Sequence, residues 1–233
     1  TNILYLLKNI NCRVIRFDRP DAVFSSVEGK FNVTDIKGDI RDKNVWKDLL
    51  YGSDIVFHLA AQTSVYVAAE NPCADLEINV IPMIHLLETC KNNNFHPSIL
   101  FSGTVTETGL TEKLPVDESH PDHPITVYDL HKLMAENYLK HYTRDNIVNG
   151  CILRLANVYG PGPISSSADR GILNMMVRKA INGESLTLYG KGNYMRDYIY
   201  VEDVVSAFIK AAEHIEKLNA RHFIIGSGVG HTM

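Results

Sequence analysis

The chain has 233 residues, 45% of them hydrophobic and 21% charged, so it is long enough to bury one substantial core. A formal net charge of −4 without a long basic run argues against a nucleic-acid partner. The four cysteines are scattered, which argues against a disulfide framework or a zinc site and favours a cytoplasmic location. No apolar run reaches membrane-spanning length. We therefore expect a soluble protein with a small-molecule partner, no metal and no membrane segment.

The first half of the chain alternates between helix-like and strand-like patterns. In chain order these predict a helix at about 1–9, a strand at 13–17 ending at Asp18, a strand near 32–37, a helix ending at Leu50, a strand at 54–58, a long helix at about 74–93 and a strand at 98–102. Such alternation is typical of a parallel sheet covered by helices on both faces. The sequence thus predicts an α/β fold with a Rossmann-type, doubly wound parallel sheet.

The second half continues the alternation with shorter elements. The patterns predict a helix from Tyr128 to about 145, a strand at 150–155, a serine-rich turn at 165–167, a helix near 172–182, a strand at 186–189, a strand at 198–201 leading into a helix to about 215, and a strand at 222–225. No repeat or low-complexity linker separates the two halves. We expect a parallel-sheet domain at 1–155 and a smaller lobe at 156–233 that is interleaved with it.

Tyr128 and Lys132 are the most informative pair of residues in the chain. Four residues apart on a helix, they share one face, where an ammonium can lower the pKa of the phenol and let it exchange a proton near neutral pH. Alone, this spacing also occurs on ordinary solvated helices. Here it follows a buried strand, 98–102, that leads into Thr104, and an open α/β sheet binds ligands at such strand ends. We expect Thr104, Tyr128 and Lys132 to converge.

Five features in the same order carry a resemblance to a known family. They are FHLAAQ at 57–62, Asn79 opening a long helix, the set of Thr104, Tyr128 and Lys132, RLANVYGPG at 154–162, and RDYIYVEDVV at 196–205. With them the chain resembles the extended short-chain dehydrogenase/reductases, in the branch of NAD-dependent nucleotide-sugar epimerases and dehydratases. The resemblance runs from residue 1 to 233. It implies a homodimer formed through the helices near 74–94 and 126–145.

The resemblance implies roles for the catalytic and substrate-binding residues. Tyr128 would take the proton of a sugar C4 hydroxyl, Lys132 would hold the nicotinamide ribose and lower the phenol's pKa, and Thr104 would bond the reacting oxygen. Asn157 and Arg196 match positions that grip the diphosphate of a nucleotide-diphosphate sugar. Arg170 and Asn174 match the sugar-nucleotide cleft only loosely. Arg154 is expected to be a structural charge near the sheet.

The resemblance also implies which residues bind NAD. Asp18 matches the acidic residue that hydrogen-bonds the adenosine ribose. Its carboxylate favours NAD over NADP because it would repel the 2′-phosphate of NADP. Asp39 and Ile40 match positions at the adenosine half, Leu59, Ala60 and Ala61 would allow a close approach of the cofactor, and Asn79 would orient the cofactor loop. His58 is expected to be a hydrogen-bonded structural residue, and His131 to face solvent.

The glycine-rich turn that binds a dinucleotide pyrophosphate is not found in this chain. Counting back from Asp18 places it at or before Thr1. We therefore expect the domain at 1–155 to lack its first strand and glycine turn, the lobe at 156–233 to be incomplete, and the chain to be part of an enzyme. A non-catalytic dinucleotide-binding fragment is the alternative.

The residues after Thr104 bear on the reaction. Relatives that eliminate water or carbon dioxide carry acids at the next two positions, where this chain has Val105 and Thr106. Glu107, one position later, could turn inward. A 4-epimerase passing through a transient 4-keto sugar needs no such acid, and we expect that reaction. An NAD(P)H-dependent 4-ketosugar reductase uses the same three residues and remains open, with a dehydratase of the same family less well supported.

Overall fold

The structure, a computed structural model, describes residues 2–111, 113–161, 172–186 and 194–232. Its first elements are α1 (Asn2–Leu7), β1 (Arg13–Asp18), β2 (Asn32–Lys37), α2 (Val45–Leu50), β3 (Ile55–His58), α3 (Val65–Glu70), α4 (Pro72–Asn79), α5 (Ile81–Asn93) and β4 (Ser98–Thr104). After a 3-10 turn at Val105–Thr108 come α6 (Val127–Arg144), β5 (Asn149–Leu155), β6 (Asn157–Tyr159), α7 (Ile172–Ile181), β7 (Arg196–Tyr200), α8 (Val201–Glu213), α9 (Ile215–Leu218), β8 (Arg221–Ile225) and β9 (Gly230–His231).

Parallel pairing dominates the sheets, as the alternation of elements predicts. The central sheet has the order β3-β4-β5-β8, and β1 pairs with β2 in a separate two-stranded sheet. A third sheet, β6-β7-β9, adds one antiparallel pair. Because these four strands run parallel, their carboxyl ends all lie at one edge of the central sheet. This confirms the predicted α/β fold class.

The central sheet buries apolar side chains on both faces. Along β4, Ile99 and Phe101 point into a cluster with residues of α2, α5 and α6, whereas Leu100 points into a second cluster with residues of α8. Alternate side chains of a strand face opposite sides, so a near-continuous apolar run is required where both faces are covered. These two cores hold the end of β4 and the face of α6 in place.

The predicted long helix at 74–93 is two helices in the structure. The break lies at Val80, whose φ of −114° departs from helical values although its ψ of −52° does not. Proline has no backbone N–H and its ring fits only the first turn of a helix, so Pro82 begins α5 instead of continuing α4. Asn79 is therefore the last residue of α4, and the expectation that it opens a long helix is wrong.

Other predicted elements differ in smaller ways. The helix expected to run to about 215 is interrupted at His214, between α8 and α9. The short elements α3, β6 and β9 were not predicted. The serine-rich turn at 165–167, Arg170 and most of the strand predicted at 186–189 lie outside the described residues. Within the part of the chain that the structure describes, no helix combines the length and the apolar character that a membrane crossing needs.

Candidate active site

Thr104 ends β4 and caps the 3-10 turn that follows it. Its hydroxyl oxygen accepts the N–H of Thr106 at 3.3 Å, while its own N–H donates to Glu107 Oε1 at 2.9 Å. This reciprocal pair is a capping box, which satisfies donors that a helix start leaves without partners. Thr104 is half-buried. The turn thus fixes the Thr104 hydroxyl at the carboxyl end of a central strand.

Tyr128 and Lys132 lie in the first two turns of α6. A second capping box, between Thr126 and Asp129, starts this helix directly before Tyr128. Tyr128 is half-buried, and Lys132 is only 3% exposed. Thr106 Oγ1 donates to Asp129 Oδ1 at 2.5 Å, which ties the turn of Thr104 to the start of α6. The structure therefore brings together the two segments that carry the three predicted catalytic residues.

Lys132 has an unusual environment for an amine. Its Nζ lies 4.1 Å from the centroid of the Phe101 ring, a cation–π contact. Burial lowers the pKa of Lys132 to about 8, although the carboxyl groups of Glu107, Glu136 and Asp75 favour its charged form. Lys132 therefore titrates within the range where a catalytic group can work.

His58, at the end of β3, was expected to be a hydrogen-bonded structural residue rather than a ligand, and the expected hydrogen bonding of its ring is wrong. Both ring nitrogens are buried without a hydrogen-bond partner among the described residues. The ring stacks on Trp46 at 6.1 Å between centroids and meets Phe101 edge to face at 5.6 Å. Burial, with the nearby charge of Lys132, lowers its pKa to about 4. His58 is thus a neutral ring that packs against Phe101, the ring that Lys132 contacts.

A buried charge cluster lies under the site. Arg154, fully buried on β5, binds Glu136 through Nε at 2.9 Å and Nη2 at 2.7 Å, and binds Asp122 through Nη1 at 2.5 Å. Glu107 Oε2 lies 3.2 Å from Arg154 Nε. Glu107 is thus turned toward the interior of the protein. Arg154 has the structural role that we expected for it.

The two buried glutamates have opposite pKa shifts. Burial and the charge of Glu136 raise the pKa of Glu107 to about 9, and the attraction of Arg154 only partly offsets this. Burial also acts against the charge of Glu136, but bonding to Arg154 and the charges of Arg154 and Lys140 outweigh it and lower the pKa to about 2. Opposed shifts of this kind arise when two carboxyl groups share one site.

A second polar network holds the loop that follows β3. Asp75 Oδ1 accepts bonds from Gln62 Nε2 at 2.6 Å and from Asn79 Nδ2 at 3.0 Å. Asn79 also pairs with the backbone of Gln62, accepting its N–H at 3.1 Å and donating to its carbonyl at 3.0 Å. Asn79 therefore orients the loop from within the protein.

His131 completes that network, so the expectation that it faces solvent is wrong. Its Nδ1 lies 2.7 Å from Asp75 Oδ2, and the residue is 6% exposed. The buried carboxylate of Asp75 needs polar partners on both oxygens, and His131 supplies one of them from α6. Our sequence reasoning missed Asp75 and Gln62, although Asp75 and Asn79, one turn apart, were a usable signal.

The predicted cofactor-binding residues lie in two places. Asp18 is exposed at the carboxyl end of β1, where its Oδ1 accepts the N–H of Arg19 at 2.8 Å. At the carboxyl end of β3, Leu59 is 48% exposed, Ala60 is exposed and Ala61 is half-buried. β1 and β3 belong to different sheets in the described residues, so strand pairing does not join the two places.

Asp39 and Ile40 make contacts that the sequence did not indicate. The Asp39 carboxylate binds Arg41 Nε at 2.9 Å, and hydrogen bonds to the Arg41 side chain lower its pKa. Ile40 packs against the core, and its carbonyl accepts Trp46 Nε1 at 3.0 Å. Both residues thus shape the turn after β2 through internal contacts.

Asn157 and Arg196 lie on neighbouring strands. Parallel pairing of β6 with β7 places Asn157 opposite Tyr198, two residues from Arg196. Asn157 Nδ2 donates to the Asp197 carbonyl at 3.1 Å, and Arg196 is exposed with its guanidinium 5.9 Å from the Tyr194 ring centroid. Among the described residues, no group of three or more His, Cys, Asp or Glu side chains is arranged to hold a metal ion.

Known proteins resemble this chain in sequence and in fold. The chain is 33% identical over 196 residues to a provisionally named UDP-glucose 4-epimerase of Methanocaldococcus jannaschii, covering 84% of this chain and 62% of that protein. It thus spans about three fifths of that relative's length. The crystal structure of the UDP-glucose 4-epimerase of Thermotoga maritima with UDP-glucose superposes with a TM-score of 0.88 at 30% identity, covering 99% of this chain and 74% of that one.

A third comparison concerns an enzyme crystallised with NAD. The UDP-glucose 4-epimerase of Thermus thermophilus in complex with NAD superposes with a TM-score of 0.76 at 30% identity, covering 86% of this chain and 65% of that one. Residues 1–226 match the profile of the NAD dependent epimerase/dehydratase family. The match covers nearly the whole chain. The chain therefore belongs to the NAD dependent epimerase/dehydratase family.

Proposed function

We propose that this chain carries the acid–base site of an NAD-dependent 4-epimerase of a nucleotide-diphosphate sugar. The observation that supports this most is the placement of Thr104 at the end of β4, tied through Thr106 and Asp129 to the helix turns of Tyr128 and Lys132. The relatives and structural neighbours include UDP-glucose 4-epimerases, and a dTDP-glucose 4,6-dehydratase is also among the structural neighbours.

Each of the three residues has a distinct task in this proposal. Tyr128, as phenolate, takes the proton of the sugar hydroxyl and later returns it. Lys132, buried against Phe101 one helix turn after Tyr128, supplies the positive charge that stabilises the phenolate. Thr104 bonds the reacting oxygen. NAD, when bound, supplies the chemistry of accepting a hydride from the sugar carbon and giving it back.

The residues at the strand ends suit a dinucleotide. Asp18 presents an exposed carboxylate suited to ribose hydroxyls, and Ala60 and Ala61 leave room after β3 for a close approach. Asn79 fixes the backbone of this loop through Gln62. Asp39 and Ile40 would line the adenosine side through the turn after β2. We assign Lys132 to the nicotinamide ribose.

The sheet topology suggests how the domain at 1–155 is completed. Among the described residues, β1 and β3 each have a parallel partner on one edge only. One further parallel strand between them would join the two sheets into a single doubly wound sheet. We propose that this strand, with the glycine-rich turn after it, completes the NAD-binding domain, and that the lobe at 156–233 contributes to substrate binding.

Asn157 and Arg196 are the proposed ligands of the substrate diphosphate. An exposed guanidinium and a side-chain amide on paired strands can bind phosphate oxygens from one side. Elimination needs an acid near Thr104, but the carboxyl group of Glu107 faces Arg154 inside the protein. The position of Glu107 therefore favours epimerisation over elimination. Val105 and Thr106 carry no acid. A 4-ketosugar reductase would use the same three residues.

We also propose a cytoplasmic homodimer formed through α4–α5 and α6. The four cysteines are unpaired in the structure, which suits a reducing compartment. A light-scattering mass of two chains at micromolar concentration would agree with this assembly, whereas the mass of one chain would exclude it.

The proposed function is tested by cofactor binding followed by turnover. NAD is titrated by calorimetry into this chain and into a version extended by the N-terminal segment of the Methanocaldococcus jannaschii relative. The NAD-binding form is then given UDP-galactose, and formation of UDP-glucose is followed. We expect NAD binding and interconversion in the extended chain. Binding in neither chain, or binding without interconversion of this or any other nucleotide-sugar pair, would refute the proposal.

A further inference from the structure

Arg16 and Asp35 form an ion pair across the two-stranded sheet of β1 and β2. The register of the sheet places the two residues opposite each other. Arg16 Nε donates to Asp35 Oδ1 at 2.6 Å, and Arg16 Nη2 donates to Asp35 Oδ2 at 2.7 Å. Two parallel bonds of this kind are a strong geometry for an arginine and a carboxylate. The positive charge of Arg16 is therefore balanced by one specific carboxylate.

The loop after β1 also holds the guanidinium of Arg16. Its third nitrogen, Nη1, donates to the Ser25 carbonyl at 2.7 Å, and its central carbon lies 5.0 Å from the centroid of the Phe24 ring. The side chains of Arg16 and Asp35 are 17% and 36% exposed. A flexible surface pair contributes little, but this pair has two-point geometry and a guanidinium with fixed partners. Its two charges therefore stay together.

Arg16 lies on the same face of β1 as Asp18. Side chains two residues apart on a strand point to the same side of the sheet. Asp18 is the carboxylate that we assign to the adenosine ribose. NADP differs from NAD by a phosphate on that ribose, and such a phosphate carries a charge of about −1.5 to −2 at pH 7. An unbalanced charge on this face would therefore act more strongly on NADP than on NAD.

We propose that Asp35 is a specificity-determining residue for the cofactor. Because it balances the charge of Arg16, the carboxylate of Asp18 is left to repel the phosphate of NADP. Asp35 acts through Arg16 and needs no contact with the cofactor. This inference rests on the proposed function, because it takes Asp18 to hold the adenosine ribose.

Two further cations lie near Asp18. Arg19 follows it in the sequence, and Arg19 Nε lies 3.6 Å from Asp21 Oδ1 in a pair whose side chains are 77% and 73% exposed. Lys37 is the partner of Asp18 on β2 and is also exposed. Exposed charges of this kind are screened by salt. Neither residue changes in the variants compared below, so their charges cancel from the comparison.

Three variants separate the charges of the ion pair from its structural role. Asp35→Asn leaves the charge of Arg16 unbalanced, Arg16→Met leaves that of Asp35 unbalanced, and the double variant carries neither charge. Both single substitutions break the same ion pair. If the pair only supported the fold, both would therefore change the cofactor preference in the same direction. If its charges set the preference, the two changes have opposite signs.

The measurement is the affinity for NADP divided by the affinity for NAD, determined by calorimetry at low ionic strength on the NAD-binding form of each variant. A loss of folded protein affects both affinities equally, so it cancels from this ratio. We expect wild type to prefer NAD. Asp35→Asn should raise the ratio about three- to fivefold, and Arg16→Met should lower it by a similar factor. The double variant should return to within about twofold of wild type.

Asp145→Asn is the matched control for the loss of one carboxylate. Asp145 is exposed and follows α6 at the edge of the central sheet where β5 begins, opposite the carboxyl ends of the strands, so its ratio should equal that of wild type. A wild-type preference for NADP, an unchanged ratio in Asp35→Asn, or shifts in the same direction in both single variants would overturn the inference while leaving the proposed acid–base site intact. Binding of neither cofactor by wild type would overturn the proposed function, and the inference with it.

Discussion

Arg154 and Glu136 form a buried ion pair that fastens α6 to the central sheet. Two bonds join them, from Nε to Oε2 at 2.9 Å and from Nη2 to Oε1 at 2.7 Å. Glu136 lies one helix turn beyond Lys132 and two beyond Tyr128, so the three residues share a face of α6. The ion pair therefore positions the helix face that carries the proposed acid–base pair.

Arg154→Met should destabilise the protein strongly. The substitution leaves two carboxyl groups buried without their cation, and breaking a buried pair in this way typically costs about 3–5 kcal/mol. Urea unfolding followed by circular dichroism measures the change. Arg144→Met, at the exposed end of α6, is the control and should stay within ~0.5 kcal/mol of wild type. Equal unfolding free energies for the two variants would contradict this role for Arg154.

Glu107→Gln should change how stability depends on pH. The pKa of Glu107 is raised from 4.5 to about 9, mainly by burial, so between these values the folded protein holds a proton that the unfolded chain releases. Wild-type stability therefore falls as pH rises through this range, by at most ~1.4 kcal/mol per pH unit for one proton. Glutamine needs no proton and still accepts the Thr104 N–H.

Unfolding free energies at about pH 5.5, 7.0 and 8.5 would show this difference. The stability of Glu107→Gln relative to wild type should rise with pH. The unfolding free energy of Glu70→Gln, at the exposed end of α3, should change with pH as that of wild type does. If the unfolding free energy of Glu107→Gln also changed with pH as that of wild type does, Glu107 would be charged in the folded protein.

Turnover should fall above about pH 8 if the charge of Lys132 supports the phenolate. Burial lowers the pKa of Lys132 to about 8, so the ammonium is lost as pH rises through that value. The measurement is kcat against pH for the NAD-binding form of the protein. In Lys132→Arg the guanidinium stays charged, so the remaining activity should not fall over the same range. A wild-type kcat that is constant to pH values well above the Lys132 pKa would contradict the role of its charge.

His131→Leu should loosen the loop after β3. The substitution removes one partner of the Asp75 carboxylate and should cost about 1–3 kcal/mol of unfolding free energy. Because Asp75 also binds Gln62 and Asn79, amide hydrogen exchange of Gln62 should become faster. His141→Leu, exposed on the same helix, is the control. Unchanged exchange at Gln62 would show that the loop is held without His131.

The fold was largely predictable because its signals are local. The bounds of β2 and the extent of α6 follow from apolar periodicity and from residues at the helix start. The division of the helix at 74–93 was also available in principle, since Pro82 is a local signal. The three proposed acid–base residues could also be chosen from local signals. Thr104 lies at the end of a buried strand, and Tyr128 and Lys132 share one helix face.

The polar networks could not be predicted in this way. His131 meets Asp75 across 56 positions of sequence, and Asp129 meets Thr106 across 23. The periodicity of apolar residues in the sequence does not indicate such a contact, since the contact depends on how α4, the 3-10 turn and α6 pack together. The same limit applies to Glu107, whose inward direction is decided by Arg154 on a neighbouring strand.

The central claim is that Tyr128 is the acid–base residue of the site. Its most direct test is the rate of UDP-galactose conversion to UDP-glucose by the NAD-binding form of the protein, compared between Tyr128→Phe and Tyr138→Phe. Tyr138 lies on the same helix and is 37% exposed, so it controls for the loss of a phenolic hydroxyl. The account predicts that Tyr128→Phe slows turnover by at least about 100-fold while Tyr138→Phe keeps the wild-type rate. A wild-type rate in Tyr128→Phe would contradict it.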